Sequence, residues 1–162
     1  MLTGGTIDSF YNGPLDTVTP NKKSMIPDYI KNLNLHEKIK FTTICMKDSR
    51  HINTIDRKKM IRLIEKSPDS LFIITHGTYT MPDSSRFLEA NLKRKGVVII
   101  FTGSMISLSF PGSDGGFNLG YSLANISHAS PGVYVSMNGR LFKPKEVEKL
   151  LSEGRFASIF QT

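Results

Sequence analysis

The chain carries one cysteine, Cys45, and so has no second thiol with which to form an internal disulfide. A reducing compartment fits that count. Flanked by Ile44 and Met46, the thiol reads as a small apolar filler in a strand rather than as a nucleophile. Long apolar runs are missing as well. None approaches the ~20 residues of a membrane span, and Met1-Leu2 passes at once into glycine instead of into the apolar stretch of a signal peptide. A cytoplasmic protein with no membrane partner is expected. The four histidines, His36, His51, His76 and His128, show no ligand spacing with one another or with Cys45, so no metal is expected. The glycine loop near the start lacks the lysine of a P-loop and the full dinucleotide fingerprint, and no cofactor is expected either.

Acidic residues are the scarcer charge, 14 against 21 lysines and arginines, which leaves a net charge of +7. Such a balance attracts anions, acidic substrates or nucleic acid. The distribution argues against nucleic acid, because the basic residues fall in short groups, Lys22-Lys23, Arg57-Lys58-Lys59 and Lys93-Arg94-Lys95. Two of these groups lie on expected helices, and no nucleic-acid motif or interleaved aromatics accompany them. Solvated helical faces account for them.

What is present is a set of hydroxyl-rich glycine turns. Thr3-Gly4-Gly5-Thr6-Ile7-Asp8 comes first, and its glycines allow the backbone a positive φ and a close approach to a ligand. Thr75-His76-Gly77-Thr78 and Thr102-Gly103-Ser104 each follow an apolar run. Three such turns converge if their strands are parallel neighbours. At 162 residues the chain has the size of one domain, residues 1–162.

The first strand is expected to be short, since only two residues precede the first turn. Residues 8 to 24 show no apolar period and read as a loop, long enough to serve as a lid. Ile26, Ile30 and Leu33 predict a short helix over 27–34, and a strand is expected at about 39–46. Thr54 is the expected cap of a helix that carries Met60, Leu63 and Ile64 inward and ends near Ser67-Pro68. Leu71 to Ile74 and Val97 to Phe101 read as strands covered on both faces, with a helix from Pro82 to Gly96 between them. Residues 105 to 116 read as a loop. Leu119, Leu123 and Ile126 mark another helix, and a strand follows at 132–137. Pro144 is expected to open a short helix bearing Val147, Leu150 and Leu151, before a last strand from Phe156 to Phe160. Alternating strands and helices imply an α/β fold: a doubly wound, mostly parallel sheet with helices on both faces and ligands beyond the carboxyl ends of the strands.

A nucleophilic role for Thr6 requires a base and donors for an oxyanion. Glycine-flanked amides can supply the donors. Lys149, Asp48, Asp114, His76 and His51 are all candidates for the base, and residue type alone does not choose among them. His76, between a buried strand and a glycine, serves equally well as a hydrogen bond to its own loop.

The motifs Thr3-Gly4-Gly5-Thr6-Ile7, Thr75-His76-Gly77-Thr78, Thr102-Gly103-Ser104-Met105 and Ser113-Asp114-Gly115-Gly116-Phe117-Asn118-Leu119 resemble, in order and spacing, the N-terminal domain of the bacterial-type L-asparaginase family. The resemblance runs from Thr3 to about Phe160 and covers the first domain of a two-domain family. It implies an amidohydrolase in which Thr6 is the nucleophile, Thr78 the second catalytic threonine and Lys149 that threonine's partner. It further implies that Ser49 binds a substrate carboxylate and that Tyr11 stands for a lid tyrosine. Arg50, beside Ser49, offers a guanidinium that can clamp a carboxylate in a bidentate fashion, and Gly77, Tyr79 and Ser104 complete the expected substrate-binding set.

Two departures accompany the matches. Family members usually carry Asp after the second threonine, where it binds the substrate α-ammonium, and Tyr79 stands there instead. A neutral phenol cannot replace that ion pair, so recognition of L-asparagine does not follow, and the amide stays open. The family's C-terminal domain is also expected to be absent, which motivates the competing reading of a non-catalytic binding protein or a subunit of an amidase complex. Apolar surface left without its usual cover implies a homodimer or higher homo-oligomer.

Overall fold

The computed structural model describes residues 1–160. Its elements in chain order are β1 (Leu2–Gly4), β2 (Ser9–Asn12), β3 (Thr17–Pro20), α1 (Ile26–Asn32), β4 (Thr43–Lys47), α2 (Thr54–Lys66), β5 (Leu71–Thr75) and α3 (Met81–Asn91). β6 (Val98–Thr102), α4 (Gly115–Ile126), β7 (Gly132–Met137), β8 (Arg140–Phe142), β9 (Val147–Leu150) and β10 (Arg155–Ser158) follow. Six strands form one sheet in the order β4-β1-β5-β6-β7-β8. Every pairing in it is parallel except β7 with β8.

The sheet is built on alternation within β6, whose five residues are all buried. Ile99 and Phe101 point to the face covered by α2 and α3, together with Met60, Ile64, Met81 and Leu88. Val98 and Ile100 point to the opposite face, where Ile126 of α4 packs, and Leu119 of α4 joins Ile26 and Ile30 of α1 nearby. Each large apolar side chain removed from water contributes about 1.5–3 kcal/mol, so the two-sided burial of this strand fixes its central place. The expected α/β architecture with helices on both faces is the one observed. β1 is short, as expected, yet Leu2 is buried and pairs with both Thr43 and Thr75.

Several elements depart from expectation. The cap of α2 is Asn53 rather than Thr54: its side chain accepts from the amides of Ile55 and Asp56 at 2.9 and 3.2 Å, and Asp56 returns the bond to the Asn53 amide at 3.1 Å. That reciprocal pair satisfies donors the helix cannot satisfy itself, worth about 1 kcal/mol. Residues 8 to 24 are not a featureless loop, since β2 and β3 pair as an antiparallel hairpin. Phe10, Tyr11 and Val18 are exposed on it, so no core-facing period marks the strands.

The expected helix after Pro144 is the strand β9, paired in register with β10 from Val147↔Ser158 to Leu150↔Arg155. Val147 and Leu150 stand three residues apart, a spacing that a four-residue window cannot assign to helix or strand. Here Val147 enters the core while Leu151 is exposed, and Gly154 turns the chain back at a φ of 60°. The last strand accordingly lies at Arg155–Ser158 rather than reaching Phe160. β8 has no counterpart in the expectations. It returns along β7 through Asn138 and Gly139, both at positive φ, the two-residue turn that a hairpin favours.

Candidate active site

Three loops leave the carboxyl ends of neighbouring parallel strands: Gly5-Thr6 after β1, Asp48-Ser49-Arg50 after β4, and Gly77-Thr78-Tyr79 after β5. Together with Lys149 from β9 they line an open cleft of about 180 Å³. The loops converge because two of them meet backbone to backbone. Gly5 has a φ of 76°, and a Cβ placed on it would lie 2.3 Å from the Cα and N of Gly77. A Cβ on Gly77 would in turn lie 2.7 Å from the Cβ of Ser49. Only residues without side chains allow this approach, and it brings Thr6, Ser49 and Thr78 to one cleft.

Thr6 opens a single 3-10 turn, and its carbonyl accepts from the Ser9 hydroxyl at 2.6 Å. Thr78 is buried, and Lys149 Nζ donates to its Oγ1 at 2.7 Å. Lys149 has no carboxylate partner among the described residues, and desolvation lowers its pKa from the usual lysine range. The hairpin that carries it is fastened to α3 by Arg86, whose guanidinium donates to the carbonyls of Pro144 and Val147 at 3.0 and 2.8 Å and pairs with Glu148.

Ser49 is buried, and its carbonyl accepts from the Thr80 hydroxyl at 2.7 Å, tying the β4 loop to the β5 loop. Arg50 lines the cleft but turns its fork on its neighbour. Nε and Nη2 reach the two oxygens of Asp48 at 3.0 Å each, and the Arg50 amide adds a bond of 2.8 Å. The Arg50 side chain, with that amide, holds the Asp48 carboxyl below the usual range, while burial opposes it. Tyr79 stands at the cleft with 57% of its surface exposed.

Other candidates lie elsewhere. His76 is fully buried, its Nδ1 lies 2.8 Å from the Gly77 carbonyl, and its edge meets Phe101 with centroids 5.7 Å apart. The carbonyl can only accept, so Nδ1 carries the proton, and burial drives the pKa down to about 4. This is a neutral ring that supports the loop. Ser104 is fully buried and does not line the cleft. Tyr11 lies on the β2–β3 hairpin, where its hydroxyl donates to Asp16 at 2.5 Å, and it does not line the cleft either. His51 is exposed at the start of the segment leading into α2.

Asp114 is engaged by the backbone: its carboxylate accepts from the amides of Met105 and Ile106 at 2.9–3.0 Å. Asn118 extends that brace, donating to the Gly103 carbonyl at 3.0 Å and accepting from the Asn138 amide at 3.2 Å. Asn138 accepts from the amide of Phe156 on β10 at 3.0 Å. The Ser113–Leu119 motif thus braces the third loop and the C-terminal hairpin. Among the described residues no group of three or more His, Cys, Asp or Glu is arranged to hold a metal ion, and no helix is long and apolar enough to cross a membrane.

Fold and cleft together define an α/β protein with an open cleft at the carboxyl ends of its parallel strands, lined by Thr6, Thr78, Ser49 and Lys149. Its family is the asparaginases: the family described as Asparaginase, N-terminal matches residues 1–160, and the chain belongs to it. An L-asparaginase of Thermococcus kodakarensis is 32% identical over 82 residues, 51% of this chain and 25% of that protein. The solved structure of the thermostable L-asparaginase from the same organism superposes with a TM-score of 0.85 at 27% identity, over 99% of this chain and 50% of that one. The probable cytoplasmic L-asparaginase of Campylobacter jejuni gives 0.80 at 26% identity, over 97% of this chain and 51% of that one. L-asparaginase I of Vibrio cholerae gives 0.73 at 26% identity, over 97% and 49%. The chain spans about half the length of these solved relatives.

Proposed function

We propose that the cleft is the nucleophile-bearing part of an amidohydrolase site. Thr6 attacks the carbonyl carbon of a carboxamide, the C–N bond breaks, and ammonia leaves with the proton that the hydroxyl surrenders. Water then cleaves the resulting ester, releasing the acid and restoring the threonine. The observation that carries this reading is the 2.7 Å contact of Lys149 Nζ with Thr78 Oγ1 in a cleft that Thr6 also lines. Desolvation favours the neutral amine, which can take a proton by way of Thr78, and amides of the glycine loops can receive the developing oxyanion. Because Lys149 acts in its deprotonated form, the rate rises with pH through a midpoint below the ordinary lysine value of 10.5. In this scheme Ser49 contacts the acid end of the substrate. The relatives are L-asparaginases, which supports a small carboxamide as the substrate class.

The test is ammonia release from a panel of carboxamides by the purified protein beside Thr6→Ala. Release that vanishes in a folded Thr6→Ala supports the reading; undiminished release contradicts it. A second reading rests on the openness of the cleft, where Tyr79 and the neighbouring Leu151 are 57% and 69% exposed. A ligand-binding subunit whose outer wall comes from a partner would show ligand affinity and assembly unchanged by Thr6→Ala, with no ammonia from the isolated chain. Self-association as a homodimer or larger assembly and a cytoplasmic location belong to the same proposal. Light scattering that finds a monomer at micromolar concentration would overturn the first of these.

A further inference from the structure

Resting on the amidohydrolase reading of the cleft, we infer that Ser9, Ser107 and Ser109 are positioning residues for Thr6, a brace of hydroxyls that aims the nucleophile from behind its own turn. The need for a brace begins with the glycines. Gly4 and Gly5 precede Thr6 at φ of 85° and 76°, and although Gly5 rests against Gly77, neither carries a side chain that would fix the residue after it. Thr6–Asp8 is a single 3-10 turn without a side-chain cap, closed by one bond from the Asp8 amide to the Gly5 carbonyl at 3.1 Å. A lone turn of this length does not hold itself.

The turn is held from downstream instead. After Gly5, the carbonyl of Thr6 accepts from Ser9 Oγ at 2.6 Å, that of Ile7 from the Leu108 amide at 3.2 Å, and that of Asp8 from the Asn21 amide at 2.9 Å. The Ser9 carbonyl takes two hydroxyls, Ser107 Oγ at 2.6 Å and Ser109 Oγ at 2.9 Å. Ser107, Leu108 and Ser109 thus reach the nucleophile's turn from one short segment, 98 residues beyond Ser9 at Ser107. That segment is itself tied down. Asp114 accepts from the amides of Met105 and Ile106, the Ser113 hydroxyl donates to the Ile106 carbonyl at 2.7 Å, and the Phe110 amide donates to the Ser107 carbonyl at 3.1 Å. Ser9 and Ser107 are both buried, so no solvent competes for their hydroxyls.

Direction matters because attack needs the hydroxyl oxygen within about 3–3.5 Å of the carbonyl carbon and aligned with it, and a misplacement of ~1 Å can cost about a hundredfold in rate. None of the three serines lines the cleft, so they act through the backbone of Thr6 and leave ligand binding to other residues.

The test assays ammonia release from the carboxamide of the panel that is turned over fastest, beside Ser9→Ala, Ser107→Ala, Ser109→Ala and the double variant Ser107→Ala/Ser109→Ala, each with its unfolding curve. In Ser9→Ala and in the double variant kcat is expected to fall about tenfold or more while KM stays within about twofold. The double loss should exceed the product of the two single losses, since each single variant keeps one hydroxyl on the Ser9 carbonyl. If the double variant does not fold, Ser9→Ala gives the same reading, because it removes only the hydroxyl facing Thr6. Methyl NMR of threonine-labelled protein reads position without turnover. The Thr6 signal, identified by its absence from Thr6→Ala, should shift or broaden in Ser9→Ala and in the double variant, while that of Thr78 stays in place.

An unchanged kcat in folded Ser9→Ala, a loss carried by KM instead of kcat, or a Thr6 signal left in place would overturn the inference. Ammonia from no carboxamide, with the Thr6 signal still displaced in the variants, would remove the hydrolytic reading and leave the brace standing.

Discussion

The two halves of the cleft are held in different ways. Thr6, Ser49 and Thr78 sit on loops locked by close contacts at glycine, with the backbone of Gly5 against that of Gly77 and Gly77 against the Ser49 side chain, at the end of a sheet buried on both faces. Lys149 arrives on a two-stranded hairpin outside that sheet, held by Val147 and Phe156 in the core and by the reach of Arg86. One half is fixed by the absence of side chains, the other by the presence of one long side chain. The first tolerates almost no change, whereas the second can be loosened by degrees.

The largest effect is therefore expected from Gly5→Ala. Its new Cβ would fall 2.3 Å from backbone atoms of Gly77 at a φ of 76°, so the loops must separate. A loss of stability on the order of 3 kcal/mol or more and loss of ammonia release are expected, read by denaturant unfolding and by assay. A fully active, stable variant would break the contrast. Arg86→Ala comes next. Two carbonyl bonds and the Glu148 pair disappear, about 2 kcal/mol before the allowance for partial exposure. Hydrogen exchange should accelerate in β9 and β10 while β5, β6 and β7 keep their protection. Equal acceleration in all five strands would show that the hairpin is not a separately held unit.

A pH profile sharpens the same contrast from the rigid side. His76 has a folded pKa near 4 against the ordinary 6.5, so the unfolded state takes up its proton first as pH falls. The stability this preserves is complete above about 6.5 and is lost as pH falls toward 4, by at most about 3 kcal/mol. His76→Asn, which offers an amide in place of Nδ1–H, should flatten that part of the profile, measured by chemical unfolding between the two values. An unchanged slope would mean that another group carries it.

The rigid half was legible in the sequence and the adjustable half was not. Gly5 and Gly77 announce tight turns because no other residue permits them, and the unbroken apolar runs at 71–74 and 97–101 announce strands with two covered faces. The hairpin gave no comparable signal. Val147 and Leu150 fit either period, and the cross-strand partners at 155 to 158 become visible only once the turn at Gly154 is known. Asn138-Gly139 did carry a hairpin signal for β8, unread because the flanking strand is only three residues long. The role of Lys149 follows from the resemblance alone, because the residues around it do not single it out among the candidate bases. Arg86 left no mark at all, since an arginine on an amphipathic helix looks the same whether it meets water or a carbonyl. Asp114 invited a reading as a base, and only its bonds to the Met105 and Ile106 amides reveal a brace.

The most direct test of the central claim is to find the acyl group. The protein would be mixed with the carboxamide of the panel that gives the fastest ammonia release, quenched in acid during turnover, digested and mapped by mass spectrometry. An ester on the peptide containing Thr6, absent from Thr6→Ala and accumulating before steady ammonia release, is the predicted result. Ammonia released with no ester on that peptide, or with the ester on Thr78 instead, would contradict the assignment of Thr6 as the nucleophile.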